Sequence, residues 1–141
     1  MIVQKVKTKK ELDDAFGVRM VVFVNEQKVP VEEELDAFDK TAIHFIGYEN
    51  EQPVAASRLR FEADYGKLER ICVLQEYRGK HFGQELIKEM EMTISKNGYK
   101  KAKLHAQTHA ESFYSHLGYE TVSDTFMDAG IPHVAMIKTL E

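Results

Sequence analysis

The segment KLERICVLQEYRGKHFG, from Lys67 to Gly83, joins an apolar run to a basic, glycine-bearing turn and then to a helical pattern. Leu68 to Val73 reads as a strand, Arg78-Gly79-Lys80 as a turn, and a helix begins at about Phe82. A strand that feeds such a loop into a helix has the layout of a phosphate cradle. The first backbone N–H groups of a helix lack intrahelical acceptors, and the macrodipole adds roughly half a positive charge there. Glycine at 79 and 83 lets the backbone approach a ligand that a Cβ would hold off. Arg78, Lys80 and His81 add side-chain charge at the same point. The spacing is neither the G-x-x-x-x-G-K-[ST] of a mononucleotide loop nor the three-glycine dinucleotide fingerprint. A basic turn before a helix is also what solvated surface looks like, so the rest of the chain has to decide.

Outward from this segment, the helix is the clearest element: Phe82, Leu86, Ile87, Met90 and Ile94 share one face, and Asn97-Gly98 ends it. Lys101 to Ala106 is a strand with Ala102, Leu104 and Ala106 on one side. Strand, helix and strand make a right-handed crossover that sets 67–73 and 101–106 side by side and parallel. Upstream, Ile43–Tyr48 and Val54–Phe61 are strands joined through a turn at Asn50-Glu51-Gln52-Pro53. Asp64-Tyr65-Gly66 turns the second into Lys67–Val73, giving an antiparallel meander.

At the N-terminal end, Ile2–Val6 is a short strand. Thr8 and Glu11 have capping-box spacing and open a helix whose apolar face is Leu12, Ala15, Phe16 and Met20. Val21 to Val24 continues it or forms a second helix. From Pro30 to Lys40 the periodicity is lost among Glu32, Glu33, Glu34, Asp36 and Asp39. This is either a solvated loop or an acidic lip for a cationic amine, with Glu33 and Asp36 as its candidate contacts. After the 101–106 strand, Thr108 and Glu111 repeat the capping-box spacing, Gly118 ends that short helix, and Tyr119–Val122 and His133–Leu140 are the final strands. The expected architecture is one domain, residues 1–141, with a mixed α/β (α+β) sheet, mostly antiparallel around a central parallel pair and flanked by helices.

Composition fits a folded soluble domain: 43% hydrophobic and 30% charged residues, with a net charge of −4. That charge gives no general attraction to nucleic acid, so an anion must be captured locally. No apolar run reaches a membrane span and no signal-peptide core stands at the start. Cys72, the single cysteine, sits in a strand pattern as a buried thiol and excludes an intramolecular disulfide. His44, His109 and His116 have no metal-ligand spacing, so no metal is expected. The expected location is cytoplasmic.

Arg78-x-x-His81-x-Gly83 resembles the R/Q-x-x-G-x-G/A pyrophosphate loop of the GNAT family of N-acetyltransferases, with His81 in place of the middle glycine. Ala110-Glu-Ser-Phe-Tyr-Ser-His-Leu-Gly-Tyr119 resembles the A-x-x-F-Y-x-x-x-G-[FY] helix of the same family. Val22-Phe-Val-Asn-Glu-Gln27, Asp36 with Asp39 and His44, and Asp128-Ala-Gly-Ile-Pro-His133 are similar to its small bacterial ElaA/YjcF-like members. The resemblance covers essentially the whole chain and implies the acyl-CoA N-acyltransferase fold, with acetyl-CoA as co-substrate. It implies that strands 67–73 and 101–106 splay at their C-terminal ends, and that pantetheine lies along the backbone of Ile71, Cys72 and Val73. The pyrophosphate would rest on the N–H groups of Arg78, Gly79, Lys80, His81, Phe82 and Gly83, with Gln107 and Phe113 also beside the cofactor.

Transfer to an amine requires a group that takes a proton from the ammonium, a donor for the oxyanion and a partner for the leaving thiolate. The resemblance points to Tyr114 for the thiolate and to the Val73 N–H for the oxyanion; Tyr114 could equally only pack on the cofactor. For the base, Glu69 is favoured, because alternation places it on the strand face of Ile71 and Val73; it could also simply pair with Arg70 or Lys67. His105, His133 and Glu26 are the other acceptor-side candidates. The acceptor is a small-molecule or protein amine, and the protein a monomer or homodimer. Two competing readings stand beside this: a non-catalytic acyl-CoA-binding module on the same fold, and a nucleotide-binding protein of another class.

Overall fold

The computed structural model describes residues 1–141. Its eight strands are β1 (Ile2–Lys5), β2 (Ile43–Glu49), β3 (Gln52–Glu62), β4 (Tyr65–Val73), β5 (Lys101–Gln107), β6 (Glu120–Thr121), β7 (Phe126–Asp128) and β8 (Ile131–Thr139). They form one sheet in the order β1-β2-β3-β4-β5-β8-β6, with β7 also on β8. Every pair is antiparallel except β4–β5. This is the mixed sheet with a central parallel pair that the sequence implies.

The helix α3 (Phe82–Lys96) covers one face, burying Phe82, Leu86, Ile87, Met90 and Ile94. Each such side chain contributes on the order of 2 kcal/mol of hydrophobic burial. Gly66 belongs to β4 rather than to the preceding turn, and it is there for α3. A Cβ on Gly66 would lie 2.5 Å from Ile94 Cγ1.

The opposite face carries α1 (Lys9–Arg19), started by the expected Thr8–Glu11 capping box. α1 runs directly into a π-helical segment, Met20–Glu26. Its buried residues are Ala15, Val18, Arg19 and Val22, not the row through Leu12, Phe16 and Met20. A charged residue occupies the core-facing row, which hydrophobic periodicity discards. The acidic stretch is not a solvated loop either. It forms the short helix α2 (Val31–Glu34) and a 3-10 turn, Ala37–Lys40, whose Asp36–Asp39 capping box replaces apolar periodicity as the organising signal.

Two further expectations change. The helix after β5 is a 3-10 turn, Thr108–Ala110, followed by α4 (Glu111–His116), and no side chain caps it. Glu111 instead accepts from Thr121 Oγ1 on β6. The connection before β8 contains β7, which returns through Ala129 and Gly130, both at positive φ.

Candidate active site

β4 and β5 pair only through Gly66–Ala102, Lys67–Lys103 and Leu68–Leu104, and then separate. A cleft of about 600 Å³ opens where they part. It gathers Glu33, Asp36, Glu69, Ile71, His105, Gln107, Tyr114 and His133 from the sequence candidates. Glu26, Cys72, Val73, Phe113 and the 78–83 loop do not line it.

The β4 strand changes phase inside this region. Ala56 faces Cys72 while Arg58 faces Glu69, so Arg70 and Ile71 stand together opposite Ser57. Arg70 takes φ 56°, the left-handed conformation that lets the extra residue fit. The bulge moves Ile71 and Val73 onto the α3-side core and Cys72 onto the α1 side. Glu69 therefore does not share a face with Ile71 and Val73, because uninterrupted alternation fails across a bulge.

Beyond the bulge, Leu74 N–H donates to Val54 O at 2.9 Å. Alternation of an antiparallel ladder then turns the N–H and C=O of Val73 away from β3 and those of Cys72 towards it. The backbone of Val73, not of Cys72, faces the gap. Val73 O accepts from Arg78 Nε at 2.9 Å. The Cys72 thiol is buried against Ala56 O, and desolvation pushes it up to about 12, so it is an inert packing group.

The basic loop keeps its backbone and loses its side-chain charge to other tasks. Arg78 Nη1 and Nη2 each lie 2.8 Å from the Glu26 carboxylate at the end of the π-helical segment. The Arg78 N–H donates to Gln75 O at 3.3 Å, and Lys80 lies over the Tyr77 ring. From Gly79 through Gln84 the N–H groups have no loop or turn acceptor; Glu85 is the first to close the helix, onto His81 O. His81 stands at φ 66°, the conformation glycine favours and histidine tolerates at a cost. Its side chain is exposed. A Cβ on Gly83 would lie 3.5 Å from Phe113 Cζ, which places Phe113 over the first turn of α3. Phe82 is buried, leaving only its N–H to a ligand.

Glu69 is locked among cations. Its carboxylate lies 2.7 Å from Arg58, 2.8 Å from Arg60 and 3.2 Å from Lys67. Although burial opposes ionisation, these partners hold its pKa down to about 2. That is a poor base near neutrality. Of the partners foreseen, Lys67 is present; Arg70 is not.

Arg58 and Arg19 are fully buried and extend the network. Arg58 reaches Asp36 at 2.7 Å and Asp39 at 3.0 Å. Arg19 reaches Glu34 at 2.7 Å and Asp39 at 2.8 Å. Arg70 pairs with Glu34 and Asp36. Asp36 is thus committed to the chain's own arginines, whereas Glu32 and Glu33 stay exposed and unpaired at the rim. The signal for this network was in the sequence: Arg58-x-Arg60 and Lys67-x-Glu69 have strand period on consecutive strands. Arg19, Glu34 and Asp39 had no such cue.

On the other wall, Gln107 Nε2 donates to Gln27 Oε1 at 2.8 Å, and Gln107 Oε1 accepts from His109 Nε2 at 2.6 Å. Gln27 stood in the sequence reading only as part of the Arg19–Gln27 stretch expected beside the acceptor, and His109 only as an ordinary histidine. The half-buried Tyr114 stands edge-on to Phe113 and Tyr119, and its hydroxyl makes no hydrogen bond within the chain. Burial pushes this phenol up to about 12. His105 and His133 flank the Phe126 ring, His105 edge-on at 5.0 Å and His133 stacked at 6.1 Å. No group of side chains in the chain has metal-binding geometry, and no helix is long and apolar enough to cross a membrane.

Residues 11–140 match the acetyltransferase (GNAT) domain. The chain is 45% identical over 133 residues to YjcF of Bacillus subtilis, described as an uncharacterised N-acetyltransferase, covering 94% of this chain and 95% of that one. The crystal structure of Escherichia coli ElaA superimposes with a TM-score of 0.88 at 27% identity, covering 98% of this chain and 99% of the other. A structure of an aminoglycoside 6'-N-acetyltransferase complexed with coenzyme A shares the fold at TM-score 0.78 and 14% identity, over 99% and 97% of the two chains.

Proposed function

Because this chain belongs to the GNAT acetyltransferase family, we propose that it moves the acetyl group of acetyl-CoA directly to a primary amine while both are bound. The observation that carries this reading is the run of unpartnered N–H groups from Gly79 to Gln84, set just beyond a strand whose Val73 backbone is turned away from β3 where β4 has parted from β5. The residues fit the cofactor. The N–H run would hold the pyrophosphate at the positive end of α3, and Phe113 would lie beside it. Ile71 and Val73 would carry the pantetheine. To do so, Arg78 must release the Val73 carbonyl.

Acetyl-CoA supplies the thioester. The Val73 N–H would stabilise the oxyanion that forms when the amine attacks. Tyr114 Oη would meet the departing sulfur as a hydrogen-bond donor. With the phenol at about 12 and a thiol near about 8.5, complete proton transfer would be uphill by about 5 kcal/mol, at ~1.4 kcal/mol per pH unit. Tyr114 therefore acts by donation as the C–S bond breaks rather than by full transfer.

The acceptor is a small-molecule or protein amine. Glu32, Glu33 and Asp128 are the unpaired carboxylates around the cleft and favour a cationic one. A solvent-facing cytoplasmic enzyme, one domain of 1–141 acting as a monomer or homodimer without metal, nucleic acid or membrane, is the accompanying reading.

Calorimetric titration with acetyl-CoA, with ATP and NAD as controls, tests the cofactor. Selective micromolar binding is expected, followed by thiol release on addition of amines. In Tyr114→Phe, kcat should fall by about tenfold or more with acetyl-CoA affinity unchanged. Binding without any amine-dependent thiol release would support the non-catalytic module instead.

A further inference from the structure

Glu69 is spent on its guanidinium partners, so the acceptor ammonium needs another group to take its proton. We propose that His133 is this group, accepting the proton at Nε2; the assignment rests on the amine-acetylating reading above.

The geometry of the six histidines separates them. His44 is buried with Nε2 on Asp39 O, and His116 is turned onto Ser112 O of its own helix. His109 spends Nε2 on Gln107. His81 lies in the cofactor loop. His105 reaches the cleft, but no hydrogen bond fixes its ring. His109 also lines the cleft with its tautomer fixed, but its ring is exposed; His133 combines a cleft position and a fixed tautomer with a buried ring. Its Nδ1 lies 2.7 Å from Ile131 O, a pure acceptor, so Nδ1 carries the proton and donates it there. Nε2 is left with its lone pair and no partner in the chain.

Its setting suits the role. His133 is 8% exposed, on a long strand, and its ring is held by stacking on Phe126. It pairs in register with Gln107, the last residue of β5, where β5 has left β4. Gln107 leads through the 3-10 turn into α4, so His133 and Tyr114 open onto the same cleft. Charged or titratable groups that line the same cleft include His105 from β5, His109 from the following turn, Asp128 from β7, and Lys67 and Glu69 from β4. Lys67 and Glu69 are paired with each other.

The step balances. One ammonium proton moves to His133 Nε2 and later to water. The freed nitrogen lone pair forms the N–C bond to the acetyl carbon, and the C–S bond breaks with its electrons on sulfur. A second nitrogen proton reaches that sulfur, leaving the amide and the free thiol of coenzyme A.

Two measurements test this. The first is long-range 1H–15N correlation on the 15N-labelled protein at mildly alkaline pH, with the His133 signals assigned from His133→Gln. It should find Nδ1 protonated and Nε2 bare; the reverse tautomer overturns the assignment without any need for activity. The second compares wild type, His133→Gln and His133→Asn on two nucleophiles: alkylamines, which arrive protonated, and hydroxylamine, which arrives as the free base. Folding of the variants is checked by thermal melting and acetyl-CoA binding. With alkylamines kcat/KM should fall by about 100-fold or more, whereas with hydroxylamine it should change by less than about fivefold. Equal losses on both nucleophiles, or no loss on either, overturn the base. A wild type that binds acetyl-CoA and acetylates neither nucleophile overturns the transferase reading, and the base with it.

Discussion

Replacing Glu69 with glutamine should cost stability and leave the chemistry of each folded molecule almost intact. The carboxylate touches Arg58, Arg60 and Lys67, and its side chain is only 11% exposed. Its pKa falls from the ordinary 4.5 to about 2, which corresponds to about 3 kcal/mol in favour of the ionised form. Removing one partner of a buried ion pair costs a similar ~3–5 kcal/mol, because the remaining charges are left uncompensated. Glutamine keeps one acceptor oxygen, so about 3 kcal/mol is the expected loss at neutral pH. Since the folded pKa is depressed, this contribution is present above about 4.5 and disappears as pH falls through about 2. Wild type and variant should therefore converge over that window. Urea unfolding followed by circular dichroism, at neutral pH and in steps downward, measures the gap. Thiol release per folded molecule should change by less than about threefold, with an unaltered pH–rate profile. A variant of unchanged stability whose turnover collapses would refute the reasoning and make Glu69 the base.

Three further perturbations follow from the loop and the strand beside it. Gly83→Ala has room, since its Cβ would meet only Phe113 Cζ at 3.5 Å. It should raise stability by about 0.5 kcal/mol while weakening acetyl-CoA at least about tenfold, as read by melting and calorimetry. His81→Gly relieves a left-handed residue and should add about 0.5–1 kcal/mol of stability, with acetyl-CoA affinity within about threefold of wild type. A thermal melt that falls would show that the imidazole holds the turn. With its thiol near 12, Cys72 should react with iodoacetamide roughly a thousandfold more slowly than a free cysteine until denaturant is added; rapid labelling of the folded protein would contradict its burial.

Elements with a simple local signature were legible. The 3.6-residue row of α3, the Thr8 capping box, the β2–β3–β4 meander and the loop glycines are each written in a few neighbouring residues. Where a long-range contact overrode the local pattern, the reading failed. Arg19 lies in a core-facing row because Glu34 and Asp39 come to meet it. Asp36 looked free to draw an amine, and is instead shared by Arg58 and Arg70. Strict alternation put Glu69 with Ile71 and Val73, and the bulge at Arg70 reversed it. A bulge adds one residue without any change in composition, so hydrophobic period carries no trace of it.

The sequence by itself determined the strand–loop–helix cradle, the sheet meander and the family, because these rest on backbone conformation and short-range spacing. Only the tertiary structure decided which charges remain available for chemistry. Whether a carboxylate can accept a proton depends on which cations lie within hydrogen-bond reach, and those come from α1, β3 and β4 at once. The same holds for His133. Its type and position were plain and the Ile131 carbonyl that fixes the Nδ1 proton is only two residues away, but the cleft that its ring enters is made by the pairing with β5 and the parting of β5 from β4.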